Sequence, residues 1–262
     1  MSGGLAKPAQ VDDIALMLDD VVEEALRLVA VSESKGVVAR LLGGTAIQAL
    51  ARRAACTAFA REPADIDLIC PRGAGRPLGS VLAAAGYRQA EMFNAVNGHR
   101  RLLFFDDAHG RQVDVFIGEF AMCHSIPLEG RLELASPTLP LAELLLMKLQ
   151  IVELNSKDQN DVMALLTCAQ VADHDDQTVN GRYVAELCRN DWGLWRTITM
   201  NLVRMREATM ARPTPSAMEA RICRQLAELE SMVEQAPKTR KWRLRAKVGE
   251  RVRWYEQPEE VA

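Results

Sequence analysis

The stretch Ala64-Asp65-Ile66-Asp67-Leu68-Ile69-Cys70 alternates acidic and apolar side chains and then becomes wholly apolar. It predicts a β-strand over residues 64 to 70. Side chains two residues apart in a strand share a face, so Asp65 and Asp67 project together while Ile66 and Leu68 enter the opposite side. Adjacent carboxylates repel, and a divalent cation that prefers oxygen ligands relieves that repulsion. The stretch therefore indicates a candidate metal site, although two acids that simply face water give the same pattern.

A third acid, Asp114, lies in the apolar run Gln112-Val113-Asp114-Val115-Phe116. Strands are predicted at residues 100 to 105 and 111 to 117, joined by a polar turn as a hairpin. If the second strand pairs beside residues 65 to 68, opposite positions lie about 4.5–5.5 Å apart, near enough for Asp114 to share bound metal ions. The alternative is an exposed aspartate on an amphipathic strand.

Gly43-Gly44 ends a short apolar strand predicted at residues 37 to 42. Thr45 then suits the N-cap of a helix over residues 46 to 55. A strand, a glycine turn and a helix deliver backbone N–H groups and the positive end of a helix dipole to one place, which favours phosphate binding. A glycine pair is also an ordinary strand-to-helix turn, so both interpretations stay open.

Three motifs together resemble a known family. GGTAIQAL at 43–50, Arg61 four residues before DIDL at 65–68, and VDVF at 113–116 resemble the nucleotidyltransferase superfamily related to DNA polymerase β. The likeness is closer to the bacterial branch of the AbiEii-type toxins and the minimal nucleotidyltransferases, and it covers about residues 36 to 170. Pro63 and the Gly-Gly-Thr turn depart from the usual pattern.

The resemblance implies an α+β fold, with a nucleotidyltransferase-type mixed sheet flanked by helices. It implies transfer of a nucleoside monophosphate from an NTP to a hydroxyl group of RNA, protein or a small molecule. Asp65 and Asp67 would ligate two Mg²⁺ (or Mn²⁺) ions, and Asp114 would ligate one of them and help to deprotonate the acceptor. Two such ions stabilise the attacking and leaving oxygens. The implied NTP-binding residues are Gly43, Gly44, Thr45, Arg61, Lys148 and Asp161.

Lys148 stands on the apolar face of a helix predicted over residues 141 to 154. Its ammonium group either reaches back to solvent or points into the cleft and contacts triphosphate oxygens. The next helix is predicted over 157 to 171 and opens with Ser156-Lys157-Asp158-Gln159, which has the form of a capping box. Asp161 either orients Lys148 or solvates that helix.

From Pro140 onward the periodicity is almost entirely helical. We predict a catalytic domain over 1–172 and a helical carboxy-terminal domain with a basic tail over 173–262. Besides the two helices around Lys148, amphipathic patterns predict helices at 11–34, 78–86, 181–189, 193–210 and 215–235.

The basic tail, residues 238–255, carries eight Lys or Arg together with Trp242, Trp254 and Tyr255. Cations contact phosphates and aromatic rings stack on bases, so this segment suits an RNA acceptor. The alternative, slightly favoured, is a solvated helix whose Trp242 and Trp254 pack against the carboxy-terminal bundle.

The composition, 48% hydrophobic and 26% charged, is that of a soluble globular protein. No apolar run reaches the ~18 residues of a membrane span, and residues 1 to 21 do not form a signal sequence, so we expect a cytoplasmic protein with no membrane partner. The six cysteines are scattered without a CxxC pair, which disfavours structural zinc.

Two other functions compete with catalysis by a nucleotidyltransferase. One is an inactive module of the same fold that binds nucleotide or RNA, although a binder of anions gains nothing from three clustered carboxylates. The other is a toxin-like role with an antitoxin protein as partner.

Overall fold

A computed structural model describes residues 17–56 and 58–257. Its first part alternates helices and strands in the order α1 (Val21–Ser34), β1 (Arg40–Leu41), α2 (Gly43–Arg53), β2 (Ile66–Cys70), α3 (Gly75–Ala84), β3 (Arg88–Gln89), α4 (Glu91–Asn97), β4 (Arg101–Asp106), β5 (Arg111–Ile117), β6 (Glu119–Ala121) and β7 (Ser125–Pro127). The second part is mainly helical, with α5 (Leu141–Leu149), α6 (Ser156–Cys168), β8 (Val171–Ala172), β9 (Val179–Asn180), α7 (Gly181–Asn190), α8 (Trp192–Met210), α9 (Ser216–Gln235), α10 (Arg240–Val248) and a 3₁₀ turn (Gly249–Arg251).

Five strands form one mixed sheet in the order β1-β2-β5-β4-β3. Strand β5 lies parallel to β2 and antiparallel to β4, so the predicted hairpin and the predicted pairing of Asp114's strand with Asp67's strand are both confirmed. The fold is therefore α+β with a mixed sheet, as expected.

The two faces of the central strands differ in chemistry. Ile66, Leu68, Val113 and Val115 are fully buried on one face. Helix α3 covers the same side, where a Cβ placed on Gly75 would meet the side chain of Ile117 within 2.5 Å. Because side chains alternate, Asp67 and Asp114 lie on the other face.

The helical part packs onto the sheet through a shared core. Buried apolar side chains form one cluster that runs from Val21 in α1 to Val233 in α9 and crosses residue 172. The polar loop at 173–178, where the domain boundary was predicted, lies between the short parallel strands β8 and β9. The two-domain division stays a prediction.

Several element bounds differ from expectation for local reasons. Helix α1 begins at Val21, because Asp20 accepts the N–H groups of Val22 and Glu23; residues 11–16 of the predicted helix lie outside the described residues. Strand β1 is confined to two residues. Thr45 does not cap α2, since that helix already begins at Gly43 after Leu42.

The turn between α5 and α6 also corrects the sequence interpretation. Helix α5 ends at Leu149 rather than at 154. The capping box uses Asn155 and Asp158, one residue earlier than the Ser156–Gln159 pair. Helix α4 and strands β3, β6, β7, β8 and β9 were not predicted, whereas α10 is the helix that the favoured interpretation of the basic tail expects. Within residues 17–56 and 58–257, every helix is too short or too polar to cross a membrane.

Candidate active site

Asp67 and Asp114 are direct neighbours in the sheet. They are paired in register across the parallel strands β2 and β5, with Ile66 opposite Val113 and Leu68 opposite Val115 on the buried side. Asp114 is only 4% exposed. The two carboxyl groups therefore share one face of the sheet at adjacent positions.

The Gly43 turn lies directly against Asp67. The backbone N–H of Leu42 donates to the carbonyl of Asp67 at 3.1 Å, which fixes the end of β1 to β2. Gly43 then has a φ of +64°, and a Cβ at this position would lie 2.2 Å from Oδ2 of Asp67. Only glycine fits, because any other side chain occupies the space beside the carboxylate.

Helix α2 starts at this turn with the acidic groups in front of it. The first N–H groups of an α-helix have no intrahelical acceptor, and Leu42, at the N-cap, has no side-chain atom that accepts from them. The turn thus combines backbone donors, a helix dipole and a neighbouring carboxylate.

Asp67 is a half-buried carboxyl group without a partner. Within the described residues, no donor reaches its side chain and no cation forms an ion pair with it. Burial raises its pKa to about 7, and the carboxylates of Asp114 and Asp65 add to the rise, while Lys148 and Arg101 oppose it. An unpartnered acid of this kind is the group that a cation would stabilise.

Asp65 lies at the entrance to β2. Its side chain is exposed, and its backbone carbonyl accepts a hydrogen bond from the Thr45 hydroxyl at 2.6 Å. Thr45 therefore ties the start of α2 to the acidic segment.

Asp114 is held by Arg101, a residue of β4 that the sequence interpretation did not select. Nε of Arg101 donates to Oδ1 of Asp114 at 2.6 Å, and Nη2 donates to Oδ2. The guanidinium also lies over the ring of Phe116, 5.2 Å from its centroid. The hairpin register places Leu103 opposite Asp114, which leaves Arg101 one diagonal step away on the same face.

Lys148 is buried in an ionic network rather than turned to solvent, so the interpretation that it reaches solvent was wrong. Its ammonium lies 2.9 Å from both Asp158 and Asp161, and its side chain is 12% exposed. Burial alone would lower the pKa of Lys148, but the two carboxylates outweigh it and raise that pKa. Asp161, fully buried, does not solvate the helix.

Arg61 completes this network from the loop before β2. It forms a bidentate pair with Asp161, at 2.8 and 2.6 Å. A Cβ on Gly44 would lie 2.1 Å from Nη2 of Arg61 and 3.3 Å from Oδ2 of Asp161. Each glycine of the turn thus leaves room for a different group: Gly43 for Asp67, and Gly44 for the Arg61–Asp161 pair.

The acidic groups suit a hard divalent cation. Carboxylate oxygens are the ligands that Mg²⁺ and Mn²⁺ prefer, and Asp67 is an unpartnered carboxyl group in a space that a Cβ would fill. Among the described residues, no three acidic, histidine or cysteine side chains already converge as a complete ligand group. Asp65 and Asp67 fit such an ion, while Asp114 is engaged by Arg101.

No family model, curated protein or solved structure matches this chain. The site must therefore be judged by its geometry, which brings eight of the nine selected residues into two connected groups. Asp65, Asp67, Gly43 and Thr45 surround the β1–α2 turn, and Gly44, Arg61, Lys148 and Asp161 surround the ionic network. The ninth, Asp114, joins Asp67 through the sheet.

Arg101 is a residue of the site that the motifs do not indicate, because its place beside Asp114 depends on the register of the β4–β5 hairpin. Asp158 was predicted in the first turn of a capped helix, and its carboxylate has that role by accepting from the N–H of Asn155. The same carboxylate also accepts from Lys148.

The glycine turn gives a first testable prediction. We expect Gly43→Ala to lower the free energy of unfolding by about 2 kcal/mol more than Gly110→Ala. Both glycines have a φ of +64°, but a Cβ on Gly110 meets nothing within 4 Å. The difference in urea unfolding between the two variants isolates the collision with Asp67, and equal losses would contradict it.

The ionic network around Lys148 gives a second testable prediction. Lys148→Met should lower the free energy of unfolding by about 3 kcal/mol, because it leaves Asp158 and Asp161 buried with one fewer cation. Lys157→Met, at an exposed position of the same region, is the control and should change stability by less than about 0.5 kcal/mol. Similar melting curves for the two variants would show that the network contributes little.

Proposed function

We propose that this protein is a nucleotidyltransferase that moves a nucleoside monophosphate from an NTP to a hydroxyl acceptor. The observation that carries the proposal is the unpartnered Asp67 carboxyl group, adjacent to Asp114 in the sheet and covered by the Gly43 turn. The resemblance of the three motifs to nucleotidyltransferases supports the same conclusion, including the specific nucleotidyltransferase fold.

In this reaction the acceptor oxygen forms a bond to the α-phosphorus, and the bond from that phosphorus to the bridging oxygen of the β-phosphate breaks. Pyrophosphate leaves, and Asp114, once Arg101 has released its oxygens, takes the proton of the acceptor. Asp65 and Asp67 would hold Mg²⁺ or Mn²⁺. When bound, such a cation would neutralise charge that develops on oxygens in the reaction, which is why the site needs carboxylates rather than a nucleophilic side chain.

The triphosphate is proposed to lie on the other side of the same turn. Backbone N–H groups of Gly43, Gly44 and Thr45 at the start of α2 bind phosphate oxygens. Lys148 lies near enough to Asp67 to lower its pKa, so its charge also reaches this position. Asp158 and Asp161 hold the ammonium in place, and Arg61 supports Asp161.

RNA is one proposed acceptor, bound through phosphate contacts of the basic tail. Trp242 contacts Trp195 edge-on at 5.0 Å, and Trp254 contacts Trp192 at 6.2 Å, so both rings pack on α8. The tail retains exposed cations that form no ion pair within the described part of the chain, namely Arg240, Lys241, Arg243, Lys247 and Arg251. Base stacking by the tryptophans is therefore not part of the proposal.

The competing proposal, an inactive module that binds nucleotide or RNA, has one observation in its favour. Arg101 neutralises Asp114, one of the three acids that catalysis requires. A toxin-like role with an antitoxin partner rests on the resemblance alone.

The proposal is tested by incubating the protein with Mg²⁺ and each NTP, labelled either at the α- or at the γ-phosphate. Total RNA, protein and small-molecule extracts serve as acceptors. We expect one fraction to take up the α-label and never the γ-label. Uptake of γ-label alone would indicate a phosphoryl transfer, and the absence of any uptake with all four NTPs would favour the inactive module.

A further inference from the structure

Arg101 occupies the position at Asp114 that a cation would take. Both carboxylate oxygens of Asp114 accept from its guanidinium, and the pair is largely enclosed, with side-chain exposures of 23% and 6%. The rings of Phe116 and Phe93 lie 5.2 and 5.9 Å from the guanidinium carbon. Planar bidentate pairs of this kind are among the strongest in proteins, so the arrangement is a built feature of the site.

The charges around Asp114 indicate how many divalent cations the acidic cluster can bind. Among the described residues, five carboxylates (Asp65, Asp67, Asp114, Asp158 and Asp161) are connected to three cations (Arg61, Arg101 and Lys148). With all five carboxyl groups ionised, two negative charges are left over, which one divalent cation balances. A second such ion beside Asp114 would face the guanidinium at close range, and like charges repel strongly where solvent is excluded.

We propose that Arg101 replaces one metal ion at Asp114, so that the protein without nucleotide binds a single divalent cation, through Asp65 and Asp67. Asp114 becomes a metal ligand only when Arg101 releases it. Arg101 is thus a positioning residue that sets the number of ions in the site. This inference rests on the proposed function, because it assumes that Asp65 and Asp67 bind a divalent cation.

The structure offers a matched control for the test. Arg88 of β3 forms the same kind of bidentate pair with Asp107, at 2.6 and 2.7 Å, and lies 4.9 Å from the ring centroid of Phe105. That pair is exposed and distant in the sheet order from β2. Arg88→Gln therefore removes an equivalent ion pair without touching the acidic cluster.

The experiment is a titration with Mn²⁺, in the absence of nucleotide, in which electron paramagnetic resonance measures the free ion. We expect one bound Mn²⁺ per chain for the wild type and for Arg88→Gln. Arg101→Gln should bind a second ion, and Arg101→Gln combined with Asp114→Asn should return to one. Circular dichroism checks that each variant is folded, and the increase in melting temperature on adding Mn²⁺ should be larger for Arg101→Gln than for the wild type.

Where Arg101→Gln does not fold, Arg101→Lys replaces it. It keeps a charge but loses the bidentate geometry, and we expect at least about tenfold tighter binding of a second Mn²⁺ than in the wild type. Two bound ions in the wild type, or no difference between the wild type and the Arg101 variants, would overturn the inference and leave the proposed function standing. No Mn²⁺ binding by any variant would overturn both.

Discussion

Asp67→Asn is expected to lower kcat/KM for nucleotidyl transfer by at least about 10³-fold. The substitution keeps the shape of the side chain but removes the negative charge that lies beside Asp114 and under the Gly43 turn. Losing a single group that stabilises charge in a transition state commonly reduces the rate by 10²–10³, and a metal ligand supplies more than one such contact. The measurement is the initial rate of α-label transfer at saturating Mg²⁺.

The control for this variant is Asp107→Asn, which removes an exposed aspartate of the same sheet region. It should retain the wild-type rate within about twofold. If Asp67→Asn also keeps its rate, the acidic cluster does not carry the chemistry. Substitution of both Asp65 and Asp67 by alanine should abolish labelling while the circular dichroism spectrum is unchanged.

The same Asp67→Asn variant should be more stable than the wild type at pH 8 in the absence of metal. In the folded protein the pKa of Asp67 is raised to about 7 from its ordinary value of 3.8, chiefly by burial. Between these two values the unfolded chain loses the proton while the folded chain keeps it, so the wild type becomes less stable as the pH rises. Above about pH 7 the full penalty is present, and below about pH 4 it is absent.

The size of the effect follows from the two pKa values. The difference corresponds to about 4 kcal/mol, and partial solvation of the carboxyl group reduces it to about 3 kcal/mol. The melting temperature at pH 8 in EDTA should therefore rise by roughly 6–12 °C in Asp67→Asn, and the two proteins should melt together near pH 4. A destabilised variant at pH 8 would show that Asp67 is a structural residue with a favourable partner.

The pair Asp67 and Asp114 was predictable from sequence, because it depends on the alternation of side chains along a β-strand, which involves only neighbouring residues. Alternation in a strand placed Asp67 and Asp114 on the face opposite Ile66 and Val113, and the pairing of the two strands was then a single assumption. The turn at Gly43-Gly44 was also predicted from sequence. Thr45, however, lies inside helix α2 and donates to the carbonyl of Asp65 instead of capping the helix.

The ionic network was not predictable to the same degree. The periodicity of α5 shows that Lys148 lies on its apolar face, but it does not show what meets the ammonium there. Asp158 and Asp161 come from the next helix and Arg61 from a loop about 100 residues away in sequence. Such contacts depend on how helices pack, which local patterns do not specify.

The basic tail was compatible with two interpretations, rings that stack on bases or tryptophans that pack on the carboxy-terminal bundle. The second, which was slightly favoured, is confirmed, because Trp242 and Trp254 both pack on α8. The charges of the tail follow from sequence alone, whereas the partners of each tryptophan depend on tertiary packing.

The most direct test of the account is anomalous diffraction from crystals soaked with Mn²⁺ and a non-hydrolysable NTP analogue. We predict a manganese peak within ligand-bonding distance of a carboxylate oxygen of Asp67, with the triphosphate against the N–H groups of Gly43 and Gly44. A nucleotide bound elsewhere, or a metal ion that leaves Asp67 without a ligand bond, would contradict it.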